Sequence, residues 1–158
     1  MYGETSSMLV PCRKCLECRQ ARASEWGLRA MMEMKKHKTG CMLSLTYREN
    51  PTVLVKEDAQ KFLKRLRKAL APQKIRYLLC GEYGPKTLRP HFHIVLFGYD
   101  FPNKTLWKKT AKGFPLYRDD FLTDTWGHGL ATISALTKET ASYCALYASK
   151  GVKDLPPN

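Results

Sequence analysis

At 158 residues the chain can bury one good core, and a single folding unit is expected. Lysine and arginine outnumber aspartate and glutamate by 27 to 14, a formal charge of +13, which points to a polyanionic partner and says nothing about fold. No apolar run approaches the roughly 20 residues that span a bilayer, and Met1 to Val10 lacks a secretory signal pattern, so membrane insertion and secretion are set aside in favour of a soluble intracellular protein.

In chain order, residues 1–10 are expected to be a flexible arm and 11–158 one domain, with 11–40 forming a cysteine-containing N-terminal helical segment. Cys12, Cys15 and Cys18 stand at the two-residue spacing that tetrahedral zinc sites use, one ligand short, with Cys41, His37 or Cys144 open as the fourth. The alternative is a helix start with three small buried residues. Six cysteines distributed in this way suggest reduced thiols rather than a secreted disulfide framework. Ala23, Trp26, Gly27, Ala30, Met31 and Met34 repeat with helical period, predicting a helix to about Lys38 with a Met/Trp core stripe and Gly40 as a left-handed cap.

Cys41 to Tyr47 reads as the first strand. Asp58 to Leu70 reads as a helix whose apolar stripe is Ala59, Phe62, Leu63, Leu66 and Leu70. Its remaining positions include Lys61, Lys64, Arg65, Arg67 and Lys68, either a solvated face or one turned to nucleic acid. Lys74 to Cys80 is a second strand. Gly81 to Thr87 carries turn chemistry, and Arg89 to Phe97, stopped by Gly98, is a third strand expected at the sheet centre. Residues 99–118 read as a long irregular binding loop. Asp119 to Trp126 is a short helix, Gly129 to Ser134 a fourth strand, and Thr137 caps a last helix to about Lys150. The order from Cys41 is β-α-β-β-α-β: an α+β, ferredoxin-like antiparallel sheet with flanking helices.

Strand geometry then selects candidate functional residues. His91 and His93 share one face while Phe92, Ile94 and Leu96 point to the other. Symmetric pairing of the hairpin places Glu82 opposite His91 and Cys80 opposite His93, so Glu82 joins the imidazoles on one surface. Two imidazoles and one carboxylate suit a divalent cation with open coordination positions. On the last helix Tyr143, Tyr147 and Lys150 fall at i, i+4 and i+7 on one face, with Ala141, Cys144, Ala145 and Ala148 opposite. A phenolate there could attack a phosphodiester and keep its energy in a phosphotyrosine ester.

The stretch His91-Phe92-His93 resembles the His–hydrophobe–His signature of HUH endonucleases, and Met42 to Tyr47 resembles their first motif. Tyr143 to Lys150 resembles the two-tyrosine motif of rolling-circle replication initiators. Pro11 to Arg19, with Cys80 to His93, is similar to initiators of the microviruses, especially the gokushovirus branch. The likeness runs from about Pro11 to Gly151, in a family whose members often continue beyond this length. It implies a five-stranded palm which, with the tyrosine helix, occupies 41–151. Also implied are Mn2+ or Mg2+ held by His91, His93 and Glu82, and tyrosine transesterification nicking and joining an origin in single-stranded DNA. Tyr143 and Tyr147 would be the nucleophiles, with Lys150 orienting a tyrosinate. Arg89, Lys64, Arg65 and Lys68 would contact DNA. Host replication machinery and the host bacterial cytoplasm complete the picture, with no membrane and no small-molecule cofactor. Because Lys150 lies nearer Tyr147 in sequence, Tyr147 is expected to cleave first and Tyr143 to act in termination. Two alternatives stay open: a non-catalytic DNA- or RNA-binding module of the same shape, and a single-tyrosine HUH transposase or relaxase.

Overall fold

Alternating and continuous apolar runs become strands, and 3.6-period stripes become helices, in a computed structural model that describes residues 10–49, 51–84 and 87–148. The elements are α1 (Leu16–Met34), β1 (Gly40–Thr46), α2 (Lys56–Leu70), β2 (Arg76–Tyr83), β3 (Pro90–Phe97), β4 (Thr105–Lys109), β5 (Pro115–Arg118), α3 (Asp120–Trp126), β6 (Ala131–Ala135) and α4 (Lys138–Ala148). Among the described residues the strands form one six-stranded sheet in the order β2-β3-β1-β6-β5-β4, each neighbour pair antiparallel. The inner run β2-β3-β1-β6 is the ferredoxin-like arrangement, in which β3 lies between β1 and β2. None of the helices among the described residues is long and apolar enough to cross a membrane.

Each face of the sheet is covered by its own helices. Leu43, Leu45, Phe92, Ile94, Leu96 and Ile133 pack against Ala59, Phe62, Leu63 and Leu66 of α2 and Leu122 and Trp126 of α3. Met42, Cys80, Val95 and Phe97 face the other way, beneath Ala30 of α1 and Ala141 and Cys144 of α4. This two-sided cover explains why β3 is apolar on both faces in its second half. Trp126 ties the first core together: fully buried, it donates its indole N–H to the Thr46 carbonyl at 3.1 Å and meets Tyr47, Phe62 and Phe92 edge-on.

Capping follows the local chemistry. The Asp119 carboxylate accepts the Leu122 amide at 3.0 Å to start α3, and Gly127, at φ 72°, ends it. Thr137 and Thr140 exchange side-chain-to-amide bonds of 3.2 and 2.9 Å where α4 begins.

Several expectations are corrected. Residues 99–118 are not an irregular loop: they contain the hairpin β4–β5, which widens the implied five-stranded palm to six strands. Exposed Lys108 and Lys109 hide any apolar alternation there. The strand β3 is internal, but β1 and β6 hold the middle of the sheet, because the extra hairpin extends only the β6 side. The first helix stops at Met34, and Gly40 opens β1 instead of capping the helix. A Cβ on Gly40 would stand 2.8 Å from both the Leu96 carbonyl and the Met34 sulfur, so closeness of packing requires glycine there. Trp26 leaves the expected core stripe: it is 38% exposed, with the Arg29 guanidinium 5.2 Å from its ring centre.

At Gly129, with φ +154°, a Cβ would lie 2.3 Å from the Arg48 amide and 2.5 Å from the Thr46 carbonyl, both fixed backbone. Gly129→Ala should therefore destabilise the fold by about 3 kcal/mol. Gly113→Ala, at φ +83° with nothing within 4 Å, should cost about 1 kcal/mol. Urea denaturation of the two variants checks the ranking, and equal midpoints would contradict it.

Candidate metal centre and the tyrosine helix

The β2–β3 pairing sets the site. Glu82 lies opposite His91 and Cys80 opposite His93, so the carboxylate and both imidazoles project from one face. Glu82 is only 3% exposed, and its Oε2 lies 3.0 Å from His93 Nε2 and 3.4 Å from His91 Nε2. One ligand atom from each of the three residues falls within 4.8 Å of the others. The second ring nitrogens are also engaged. His91 Nδ1–H donates to the Arg89 carbonyl at 3.0 Å, and His93 Nδ1 meets the Ser44 hydroxyl at 2.9 Å. A carbonyl can only accept, so the proton sits on Nδ1 of His91, and Nε2 is the nitrogen with a lone pair to offer. A buried carboxylate between two oriented imidazoles fits a divalent cation with open positions.

Electrostatics reinforce this grouping. Burial alone would raise the Glu82 pKa, but hydrogen bonds from His91, His93 and Tyr143 outweigh it and hold the carboxyl far below its ordinary range. Burial would lower the His91 pKa, yet its bonds to Glu82 and to the Arg89 carbonyl leave it raised.

The last helix delivers tyrosine to the same carboxylate. Its seat is built from small residues: Ala141, Cys144 and Ala145 are buried, and Cys144 Sγ lies 3.3 Å from Cys80 Sγ. On the α1 side, a Cβ on Gly27 would lie 2.1 Å from the Ser142 hydroxyl oxygen. Seated in this way, α4 places the Tyr143 hydroxyl 3.1 and 3.0 Å from the two Glu82 oxygens, with its ring edge-on to His93. Tyr147 follows one turn later, its ring centre 4.7 Å from that of Tyr143. Burial, then the contact with Tyr147 and the Glu82 charge, push the Tyr143 phenol well above its normal pKa; burial also raises that of Tyr147.

The other sequence candidates separate. Lys64 and Lys68 are exposed on α2, on the side of the sheet away from Glu82, because α2 covers the face of Phe92 and Ile94. Arg65 is engaged internally, donating to the Thr125 and Trp126 carbonyls at 2.9 and 3.1 Å. Arg89 donates to the Tyr47 carbonyl at the end of β1. Lys150 lies outside the described residues. Cys12, Cys15 and Cys18 do converge, but the proposed fourth ligands are elsewhere. Cys41 is buried beside the Tyr99 carbonyl, Cys144 contacts Cys80, and His37 bonds Glu33 at 2.8 Å and stacks on Phe97.

Two features escaped the sequence reading. Ser44 orients His93 from β1, a role its alternate position in Met42 to Tyr47 could have signalled. The hairpin β4–β5 carries Trp107 with the Lys108 and Arg118 cations 4.1 and 3.9 Å from its ring centre. Tyr117 pairs with Ile133, and Thr132 with Ser44, which itself pairs with His93. By alternation Arg118 falls on the Thr132 face. One polar sheet face thus runs from Glu82 and His91 across Thr46, Ser44 and Thr132 to Arg118.

Comparison with known proteins places this geometry. The family model for replication-associated protein ORF2 matches residues 40–152, a span that includes Glu82, His91, His93, Tyr143 and Tyr147. The chain is 36% identical over 159 residues to replication-associated protein ORF2 of Spiroplasma virus 4, covering 92% of this chain and 50% of that protein. It is 34% identical over 157 residues to replication-associated protein VP4 of Bdellovibrio phage phiMH2K, covering 93% and 50%. With replication-associated protein ORF4 of Chlamydia phage 1 the identity is 31%, covering 91% and 39%. The chain therefore spans half or less of the length of these relatives. No solved structure matches it.

Cation binding at this site should depend on pH in a defined direction. His91 has a raised pKa and must lose its proton before Nε2 can coordinate, so protons compete with metal below that value. Affinity for Mn2+ should fall by about tenfold per pH unit on the acid side and level off above it. Titration calorimetry between about pH 6 and pH 8 checks this, and a flat profile would exclude His91 as a ligand.

Proposed function

The chain belongs to the replication-associated protein ORF2 family, and on that premise we propose that it is a metal-dependent single-stranded DNA endonuclease and strand transferase of the HUH type. In this reading it begins and ends rolling-circle replication of a small single-stranded DNA phage genome in the bacterial host cytoplasm, alongside host replication machinery. Residues 11–158 are its nicking domain. The observation that supports it most is the Tyr143 hydroxyl on the Glu82 carboxylate shared by His91 and His93. A non-catalytic binding module has no need for a nucleophile and a metal-ligand set at one carboxylate.

His91, His93 and Glu82 would hold the cation, Mn2+ or Mg2+, which when bound supplies Lewis-acid stabilisation of charge on the scissile phosphate. The protein's own groups do the rest. Ser44 and the Arg89 carbonyl fix the imidazoles, and α4 carries the nucleophiles. A tyrosine oxygen forms a bond to phosphorus as the bond from phosphorus to the 3′ oxygen breaks. The phenol loses its proton, and the departing 3′ oxygen gains one. The products are a 5′-phosphotyrosine and a free 3′-hydroxyl that can prime synthesis, with the ester energy conserved for rejoining. The second tyrosine attacks the regenerated junction, and the 3′-hydroxyl closes the circle.

The geometry favours Tyr143 over Tyr147 for first cleavage, the reverse of the order expected from Lys150, because Tyr143 is the residue hydrogen-bonded to both Glu82 oxygens. Tyr143→Phe should reduce covalent adduct with single-stranded origin DNA on a denaturing gel. Tyr147→Phe should chiefly impair circle closure, and the double variant should form no adduct. His91→Ala should lower nicking by about a hundredfold or more while DNA is still retained. An adduct in the double tyrosine variant, or undiminished nicking in excess chelator, would refute the mechanism.

Single-stranded DNA would follow the polar sheet face toward the β4–β5 hairpin, with Lys108 and Arg118 as phosphate contacts. Replacing both with alanine should flatten the dependence of log affinity on log salt by about 1.4, at roughly 0.7 per phosphate contact. Replacing Lys64 and Lys68, on the opposite side of the sheet, should leave the slope unchanged. The opposite pattern would move the DNA to α2.

A further inference from the structure

The thiols fall into two classes. Cys41, Cys80 and Cys144 are buried within the packed layers, whereas Cys12 and Cys15 are exposed and Cys18 is half-buried. Free cysteine is among the most buried residue types, and its reactivity or ligation usually explains its presence elsewhere. Packing of small residues at a helix start therefore does not account for three cysteines converging on a surface. Their sulfurs lie mutually within 4.8 Å, with Cys12 Sγ 3.7 Å from Cys18 Sγ.

The backbone is shaped around one of these sulfurs. Arg13, at φ 62°, takes the left-handed conformation that L-residues seldom adopt. The chain bends there so that the Lys14 and Cys15 amides both donate to Cys12 Sγ, at 3.5 and 3.3 Å. Amide donors aimed at a sulfur stabilise it as a thiolate, the form that binds metal. Cys15 then caps α1 without a side-chain hydrogen bond, and its carbonyl accepts the Arg19 amide at 3.1 Å. Among the described residues no fourth histidine, cysteine or carboxylate joins the group.

We propose that Cys12, Cys15 and Cys18 bind a zinc ion that pins the segment before α1 to its first turn. Three thiolates are soft donors that select zinc over the magnesium or calcium preferred by oxygen ligands. The fourth position goes to water or to a ligand from outside the described residues. The ion is structural: it fixes the beginning of α1, the helix on which α4 rests through Gly27 and Ser142. It is independent of the His91 and His93 site.

Untagged full chain purified under reducing conditions should carry about one zinc per chain by elemental analysis. Cys15→Ser should lose it, whereas the His91→Ala, His93→Ala double variant should keep it. Replacing zinc with cobalt should produce the thiolate-to-cobalt charge-transfer absorption in wild type and not in Cys15→Ser. If Cys15→Ser does not fold, the wild-type cobalt spectrum and the metal content of the double histidine variant still decide the matter. Wild-type protein that takes up neither zinc nor cobalt would overturn the proposal. So would a Cys12–Cys18 disulfide in protein isolated with its thiols trapped, or zinc lost with the histidines but retained in Cys15→Ser.

Discussion

The pairing register of β2 with β3 is the constraint on which the rest depends. A strand has a side-chain period of two, so a slip by one residue would send Glu82 through the sheet into the apolar layer and turn Phe92 or Ile94 toward the tyrosines. Both faces oppose such a slip. On one, Phe92, Ile94 and Leu96 are enclosed by α2 and α3; on the other, Val95 and Phe97 lie beneath α1 and α4. The connecting turn adds a local lock, with Gly84 N–H to the Arg89 carbonyl at 3.0 Å and Leu88 N–H to the Gly84 carbonyl at 2.9 Å. Gly81 also contributes, because a Cβ there would stand 2.7 Å from Leu54. The site is therefore as precise as the core that fixes the register.

The two helical layers divide the work. The α2–α3 layer supplies most of the large buried side chains, Phe62, Leu66, Leu122 and Trp126 among them, each worth about 1.5–3 kcal/mol of burial. The α4 layer is built differently. Alanine and cysteine at its contact face let the helix approach β2 and β3 closely, which is what brings a phenol onto Glu82. Precision of approach, more than buried area, is what small residues supply there. The basic face of α2 is consequently a property of the stabilising layer, and its charge lies away from the carboxylate.

Much of this was legible because two simple periods carried it. The alternation of His91 and His93 against Phe92 and Ile94, and the i, i+4 step from Tyr143 to Tyr147, mark out the grouping in the sequence itself. What failed lacked a periodic signal. The strands β4 and β5 are short and largely exposed, so no buried face wrote an alternation into Thr105 to Lys109. Helical periodicity showed which side of α2 is polar but not which face of the sheet it covers, so Lys64 and Lys68 were grouped with the wrong surface. Arg65 looked like one more surface cation because carbonyls about sixty residues away leave no mark beside it. The close approach of Gly40 to Leu96 and Met34 is likewise a tertiary demand that mimics a helix cap in sequence.

Glu82 shows how a buried charge is tolerated before any cation is considered. An isolated carboxylate at this depth would be costly, and an ionised carboxylate offers about four acceptor positions. Tyr143 reaches both oxygens, and His91 and His93 approach Oε2. The carboxylate is thus satisfied from two strands and a helix at once, so it acts as a tie between β3 and α4 as well as a ligand. A divalent cation would compete for the same oxygens and for the two Nε2 atoms that face Glu82. Loading the site is therefore an exchange of partners at a preformed carboxylate, with protons given up by the imidazoles as the cation is taken. A phenol that shares those oxygens is brought to the place where the phosphate must be attacked.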